Sequence, residues 1–246
     1  MRSSGALLLV LAACGFRSPA GPIDSPDAAL PSDAPLAGPA ARFCDPADPH
    51  LVACYEFEGN TKDGSSHGLD ATATAVTFVD GQVGQAMQLG ATSAASVSDS
   101  PVFDIATLTI EAWIQPSQIP PSGRAGILDV DGQYGFFLRP GSTLTCSTGG
   151  GPTVNTAATS IAAGQWSHVA CTYDGTTTVV YVDGSVVAQM GGGGVPSKGG
   201  TTGMSLAADN PSNGDRMIGL IDQLRLMDRA RTAAEICADA GKSSCP

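Results

Sequence analysis

The stretch WSHVACTYDGTTTVVYVDGSVVAQM, residues 166–190, places two Asp-Gly dipeptides between short runs of apolar residues. Asp-Gly is favoured in two-residue β-hairpin turns, because both turn positions there require a positive φ. The runs between the turns are rich in Val, Thr and Tyr, which favour strands. The stretch therefore predicts three antiparallel strands joined by tight turns at Asp174-Gly175 and Asp183-Gly184.

Other segments carry the same signals. LTIEAWIQP (108–116) alternates apolar and polar residues before its proline, and GFFLRPGSTLTCS (135–147) has two runs around a Pro-Gly turn. Residues 220–227 form another strand-like run, whereas TAAEICADA (232–240) is helical, with Thr232 and Glu235 spaced as a capping box. The pattern predicts an all-β, antiparallel two-sheet sandwich with a short C-terminal helix.

The N-terminus, MRSSGALLLVLAACGF, has one arginine, a short apolar run and then Cys14, which is typical of a secretory signal. Its LAAC segment closely resembles a bacterial lipobox. That resemblance implies cleavage before Cys14 and attachment of lipid to its sulfur. Gly15 after the cysteine then implies an outer-membrane lipoprotein of the bacterial cell envelope. The alternative is an ordinary signal in which Cys14 is incidental.

The chain accordingly divides into three parts. Residues 1–13 are the predicted signal, and residues 14–43, rich in Pro, Ala, Ser and Asp, predict a disordered tether. Residues 44–246 form the predicted folded domain, which is long enough to bury one sizeable core. The net charge of −11 argues against nucleic acid or an anionic membrane surface as a partner. Membrane contact is expected through the lipid anchor only.

The seven cysteines leave one unpaired in an exported protein, and a lipidated Cys14 accounts for the odd one. The remaining six allow fifteen connectivities. The simplest set joins neighbours in sequence, as Cys44–Cys54, Cys146–Cys171 and Cys237–Cys245. An oxidising compartment also argues against a free catalytic thiolate at Cys171.

Six blocks of sequence follow a known order and spacing. They are LVACYEFEGNTKDGSSHGLDA, GQVGQAMQLG, LTIEAWIQP, GQWSHVACTYDG, VVYVDG and IGLIDQLRLMDRARTAAEI. Over about residues 51–237 they resemble the concanavalin A-like, laminin-G-type jelly-roll domains of bacterial surface proteins. The resemblance implies a jelly-roll sandwich. It does not decide the function, because this fold carries lectins, adhesion modules and glycosidases alike.

The residues argue against catalysis. A strand over WSHVACTY puts His168 and Cys171 on opposite faces, so they cannot form a nucleophile and base pair. The remaining histidines form no zinc pattern. Glucan-cleaving relatives carry both carboxylates in an E-x-D-x-x-E strand, which is missing here. The nearest pair is Glu56 and Glu58, while Glu111 stands alone. We therefore predict that the domain is not an enzyme.

One structural calcium ion is implied by the resemblance. EFEGNTKDGSS offers Glu58, Asn60 and Asp63 around a glycine turn, and Ca²⁺ prefers such oxygen ligands. Related domains often carry calcium near this turn, and the carboxylate of a C-terminal Ile-Asp pair, here Asp222, completes the site. Gln223 replaces the family's usual glutamate and removes a charge. The alternative is that these residues only form turns and caps.

Residues for sugar binding are weakly indicated. Lectin sites usually combine an exposed aromatic platform with amides or carboxylates, but aromatic residues make up only 5% of this chain. Trp113 and Trp166 lie in strand motifs that the fold is expected to bury. Tyr134, Asn155 and Asn210 are the remaining candidates for binding a ligand.

The sequence as a whole predicts a lipid-anchored, non-catalytic module of the cell envelope whose expected ligand is a carbohydrate. The alternative is a protein-interaction or structural module without a small ligand, and a glycoside hydrolase is the least favoured reading. The expected partner is therefore a glycan or a protein of the envelope or the extracellular space.

Overall fold

The strands of the computed structural model, numbered along the chain, form two antiparallel sheets. The structure describes residues 42–130, 132–210 and 214–245. The predicted signal, the lipidation site Cys14 and most of the predicted tether lie outside these ranges.

One sheet has eight strands in the order β13-β12-β11-β6-β15-β4-β3, with β1 also paired to β15. Its members are β1 (Leu51–Tyr55), β3 (Thr77–Asp80), β4 (Gln85–Leu89), β6 (Leu108–Pro116), β11 (Ser167–Tyr173), β12 (Thr177–Val182), β13 (Ser185–Gly191) and β15 (Gly219–Met227).

The other sheet has seven strands in the order β10-β9-β8-β7-β14-β5-β2. They are β2 (Thr72–Thr74), β5 (Ala94–Val97), β7 (Ala125–Val130), β8 (Tyr134–Arg139), β9 (Thr143–Ser147), β10 (Val154–Asn155) and β14 (Met204–Leu206). Short 3₁₀ helices span Pro101–Phe103 and Pro140–Ser142. The predicted all-β jelly-roll sandwich is confirmed.

The predicted meander is β11, β12 and β13. Asp183 and Gly184, which join β12 to β13, have φ values of 48° and 78°, as a type I′ turn requires. At the other turn, the Asp174 carboxylate accepts hydrogen bonds from the backbone N–H groups of Thr176 and Thr177. The local turn chemistry therefore sets the register of these three strands.

Apolar side chains from the facing sides of the two sheets form the core. On β6 and β11, Ile110, Cys171 and Tyr173 belong to it and have no solvent exposure. Full burial of a large apolar side chain contributes about 1.5–3 kcal/mol. His168 lies on the opposite face of β11 and contacts Glu111, so the prediction that His168 and Cys171 point apart is confirmed.

The structure contains the three disulfides predicted from neighbouring cysteines. Cys146–Cys171 connects β9 of one sheet to β11 of the other inside the core. Cys44–Cys54 ties the start of the domain to β1. Phe43, assigned from sequence to the tether, packs on this bridge, and its ring lies 4.2 Å from the guanidinium of Arg225.

The single α-helix of the described residues, α1 (Ala233–Asp239), lies on the outer face of the eight-stranded sheet. The predicted capping box of Thr232 and Glu235 is present at its N-terminus. Ile236 is fully buried against Ala170 and Tyr181 of the sheet. No helix in the described ranges is long and apolar enough to cross a membrane.

Candidate functional site

Polar side chains cross the whole outer face of the seven-stranded sheet. Because successive residues of a strand point to opposite faces, the neighbours of the core residues form rows on this outer face. Direct cross-strand pairing places six of them in one row: Thr72, Ser96, Ser205, Asp129, Gly135 and Ser147. A second row continues from Phe137 through Thr145 to Asn155. Asp129, Ser205 and Thr145 of these rows are buried, whereas Asn155 is exposed.

A cavity of about 320 Å³ opens on this face, with Arg124, Asp129, Gln133, Phe137 and Asp209 among its lining residues. Gly135 forms part of its floor. A Cβ atom at Gly135 would come within 2.5 Å of both the Asp129 carboxylate and the Phe137 ring. A glycine is therefore needed here for both side chains to lie across the sheet.

Arg124 lies above the ring of Phe137, with its guanidinium carbon 4.1 Å from the ring centroid. Its Nε donates to Asp215 at 2.8 Å and its Nη2 to Asp209 at 2.5 Å. Partial burial alone lowers the pKa of Arg124, but the hydrogen bond to Asp215 and the neighbouring carboxylates raise it above the ordinary value. The result is a fixed, flat, charged platform, which is half-exposed.

Two buried polar atoms near this platform have no hydrogen-bond partner among the described residues: Gln133 Oε1 and Ser205 Oγ. The Gln133 side chain is 2% exposed and donates through Nε2 to Asp104. Leaving a buried acceptor unpaired costs about 1–3 kcal/mol, so such atoms are normally satisfied by water or a ligand. Gln133 is one of the residues that line the cavity, although its Oε1 is itself buried.

The three sugar-binding candidates have different outcomes. Tyr134 is among the residues that line the cavity, but it is 2% exposed and its hydroxyl donates to the carbonyl of Phe103 in the core. Asn155 is exposed on the outer face of the seven-stranded sheet and accepts a hydrogen bond from Thr145. Asn210 is buried beside the cavity, and its backbone N–H donates to Asp129 at 2.8 Å. The platform itself, Arg124 on Phe137, was not predicted.

The four residues of the calcium prediction are not gathered into one cluster. Glu58, Asn60 and Asp63 line a small cavity of about 250 Å³ that does not include Asp222. Both oxygens of Asp63 already accept hydrogen bonds, from the backbone of Cys54, Ser65 and Leu69 and from the Ser65 hydroxyl. Within the described ranges, no group of three or more His, Cys, Asp or Glu side chains is arranged to bind a metal. Asp63 instead organises its turn, which corrects the predicted set.

Asp222 is different, because it is fully buried and its Oδ1 has no hydrogen-bond partner among the described residues. Its Oδ2 accepts from the Val83 N–H at 2.9 Å. Burial raises the pKa of Asp222 to about 6 against the opposing effect of backbone N–H groups, and the negative charge of Glu58 adds to the rise. Glu58 in turn accepts from the Gln85 N–H, across the same turn. Two carboxylates therefore flank the β3–β4 turn.

A family model described as the concanavalin A-like lectin/glucanases superfamily matches residues 89–237. The chain belongs to this superfamily. No curated protein sequence shows significant similarity to the chain.

Solved structures share the superfamily domain's fold. Domain 4 of AbnA, a GH43 extracellular arabinanase from Geobacillus stearothermophilus solved with arabinotriose, is 21% identical, with a TM-score of 0.63 over 78% of this chain and 98% of its own. The binding domain of Paraclostridial Mosquitocidal Protein 1 is 18% identical with a TM-score of 0.64, and that of Botulinum Neurotoxin DC in complex with SialylT is 11% identical with 0.60. This chain aligns with 81% of its length to each toxin domain and covers 52% of theirs.

The superfamily domain also contains a buried cluster of charged side chains, which the sequence did not reveal. His168 Nε2 lies 3.0 Å from Glu111 Oε1, and Glu111 Oε2 accepts from Arg231 at 2.7 Å and from Arg225 at 3.1 Å. Both arginines also contact Asp239 of α1. The sequence suggested that Glu111 stands alone. The structure instead places it at the centre of this cluster.

A carboxylate in contact with a histidine has the composition of an acid–base pair. Glu111 and His168 are only 0% and 1% exposed, however, and α1 lies over this face of the sheet. A substrate has no access to either group in this arrangement. The cluster therefore attaches α1 to the sheet.

Two tryptophans were predicted to be buried. Trp113 lies beside the cluster, with its ring centroid 5.1 Å from that of His168. Both Trp113 and Trp166 are half-buried rather than buried as predicted.

Proposed function

We propose that this chain is a non-catalytic, carbohydrate-binding module that holds its ligand on the outer face of the seven-stranded sheet. The observation that carries the proposal is the cavity in which Arg124 lies on Phe137 beside Asp129 and Asp209. Sugars present flat faces with hydroxyl groups around their edges, so a planar platform with a few fixed polar groups matches their chemistry.

Two structural neighbours support this proposal, since one was solved with arabinotriose and another with SialylT. A neighbouring toxin domain was solved with rat synaptotagmin II, which supports protein binding as the alternative. A specific feature favours that alternative here: Val186, Val187 and Met190 are 37–51% exposed on the edge strand β13. An exposed apolar edge strand is a surface on which another protein can add a strand.

The cellular setting is part of the proposal. Cys14 carries the lipid, and residues 14–43 tether the domain to the outer membrane of a bacterial cell envelope. With a net charge of −11, the domain would neither bind nucleic acid nor lie on an anionic membrane surface, so the lipid is the contact with the membrane. A glycan of the envelope or of the surroundings is then within reach of the tethered domain.

The proposed binding can be tested with the purified full-length chain on a glycan array, followed by calorimetry with the best hit. We expect Arg124→Ala to weaken binding about tenfold or more, because it removes both the platform and the charged donors. Arg139→Ala is the matched control. Arg139 lies at the end of β8 on the same outer face of the sheet, but it does not line the cavity. Equal losses in both variants, or no loss in Arg124→Ala, would contradict the proposal.

We further propose that one structural calcium ion is bound between Asp222 and Glu58. The orphaned oxygen of Asp222 fits an oxygen-seeking cation, which would supply the positive charge that this buried carboxylate lacks. Backbone carbonyl groups would complete the coordination, as two carboxylates alone are too few for Ca²⁺. Asn60 and Asp63 are not part of this revised set.

The calcium proposal predicts that millimolar Ca²⁺ raises the melting temperature of the wild-type chain by about 5–10 °C relative to chelator, if the ion saturates the site. Asp222→Asn should abolish this rise. At pH 7.5 in chelator this variant should match or exceed the wild-type stability, because it removes a buried charge without a partner. Asp63→Asn should lower the melting temperature in both conditions and keep the rise. A calcium response that survives in Asp222→Asn would contradict the assignment.

The same carboxylate makes a prediction about pH. Since the pKa of Asp222 is about 6 in the folded chain and near 3.8 in the unfolded chain, the folded state binds the proton more tightly. Without calcium, this group's contribution to stability is therefore present below pH 4 and is lost as the pH rises to about 6. Calcium should reverse the trend, because it competes with the proton for the same oxygen. Melting curves from pH 4 to 7.5 measure both.

A further inference from the structure

The charges around the cavity are unequal. Arg124 is the positively charged residue that lines it, whereas Asp129 and Asp209 are acidic lining residues and Asp215 holds Arg124 from behind. Arg139, on the same face of the sheet, does not line the cavity. Among the described residues, these four side chains sum to one positive and three negative charges, in a chain whose net charge is −11.

The N–H groups of Arg124 show how the excess of negative charge affects ligand binding. An arginine binds a ligand carboxylate best through two parallel N–H groups on one edge of the guanidinium. Nε and Nη2 form one such pair of donors. Here Asp215 occupies Nε and Asp209 occupies Nη2, so that edge is already used within the protein. Nη1 is the guanidinium nitrogen that these two hydrogen bonds do not use, and it is the donor we assign to a ligand. A single N–H donor beside the carboxylates of Asp129 and Asp209 is better suited to an uncharged ligand oxygen, such as that of a hydroxyl group, than to a carboxylate.

From this geometry we infer that the cavity selects uncharged glycans and rejects those that carry carboxylate or sulfate groups; the inference rests on the proposed function and refines it. A sugar hydroxyl can donate to Asp129 or Asp209 and accept from Arg124 Nη1 at the same time. An anionic sugar has no donor at its charged group. It lies close to the two lining carboxylates, with Asp215 beyond Arg124, in a partly desolvated site where like charges repel strongly.

The test uses pairs of oligosaccharides of which one member is neutral and its counterpart carries carboxylate groups, such as lactose with 3′-sialyllactose and galactan with galacturonan fragments, on one array with the full-length chain. We expect binding by neutral members and at least about tenfold weaker binding by their acidic counterparts. Higher salt should reduce the difference, because it screens the repulsion.

Asp215→Asn tests the effect of the local negative charge without removing a side chain that lines the cavity, because Asp215 is not among the lining residues. Asparagine tolerates its positive φ of 43° and keeps an acceptor for Arg124 Nε. This variant should raise the acidic-to-neutral affinity ratio about three- to tenfold. Asp80→Asn, an exposed carboxylate on the other sheet, makes the same change in net charge and should leave the ratio unaltered.

The outcomes distinguish this inference from the proposal beneath it. Acidic members that bind as tightly as their neutral counterparts, with binding lost in Arg124→Ala, would overturn the inference and leave the proposed glycan site in place. An affinity ratio that is unchanged in Asp215→Asn would also overturn it. Binding by no member of any pair would overturn both.

Discussion

Replacing Glu111 by alanine is expected to lower the free energy of unfolding by about 3–5 kcal/mol, which is a large part of the total stability of a typical domain. Glu111 is fully buried and accepts hydrogen bonds from Arg225 and Arg231 while its other oxygen contacts His168. Without this carboxylate, the buried guanidinium groups of Arg225 and Arg231 lose a negatively charged partner, and α1 loses its attachment to the sheet. Urea unfolding at pH 7, followed by circular dichroism, measures the loss.

Two control variants make this prediction specific to the buried network. Glu56→Ala removes a carboxylate of the same type from an exposed position and should change stability by less than about 0.5 kcal/mol. Glu111→Gln keeps the shape and one acceptor and should lie between Glu111→Ala and the wild type. If Glu111→Ala unfolds at the same urea concentration as Glu56→Ala, the cluster does not hold the helix to the sheet.

The second large effect is expected from the disulfide between the sheets. Replacing Cys146 and Cys171 together by alanine should cost at least about 3 kcal/mol, because the bridge closes a loop with a sequence separation of 25 residues. Both cysteines are fully buried in the core, so the lost sulfur atoms add a packing cost. Thermal and urea unfolding under non-reducing conditions measure the difference.

Cys237 and Cys245 provide the matched comparison within the same chain. Their sequence separation is 8 residues and Cys245 is exposed, so a double alanine variant should cost less than the variant in the core. Losses in the opposite order would show that the bridge between the sheets is not a main constraint on the sandwich.

Much of the fold follows from local sequence. The Asp-Gly turns at 174–175 and 183–184 determine the meander, and the alternation along LTIEAWIQP determines which residues of β6 face the core. The helix cap at Thr232 and Glu235 is equally local. The disulfides follow because each pair joins cysteines that are neighbours in the order of the chain.

The candidate site is predictable only in part, because its groups come from distant positions. Arg124 meets Asp209 over 85 residues of sequence, and Glu111 meets Arg225 over 114. Alternation reveals that Phe137 and Glu111 point away from the core, but not what covers them. The same gap explains why the burial of Tyr134 and the partial exposure of Trp113 and Trp166 were not predicted, since exposure depends on neighbouring strands and loops rather than on the local run.

The central claim is that a glycan binds on the outer face of the seven-stranded sheet, and an NMR titration of the ¹⁵N-labelled chain with the best neutral glycan tests it most directly. Amide shifts should change around Arg124, along residues 129–137 and near Asn155 and Asn210, and these changes should vanish in Arg124→Ala. Changes confined to Trp113 and Trp166 on the opposite sheet, or to the edge strand β13, would contradict the account.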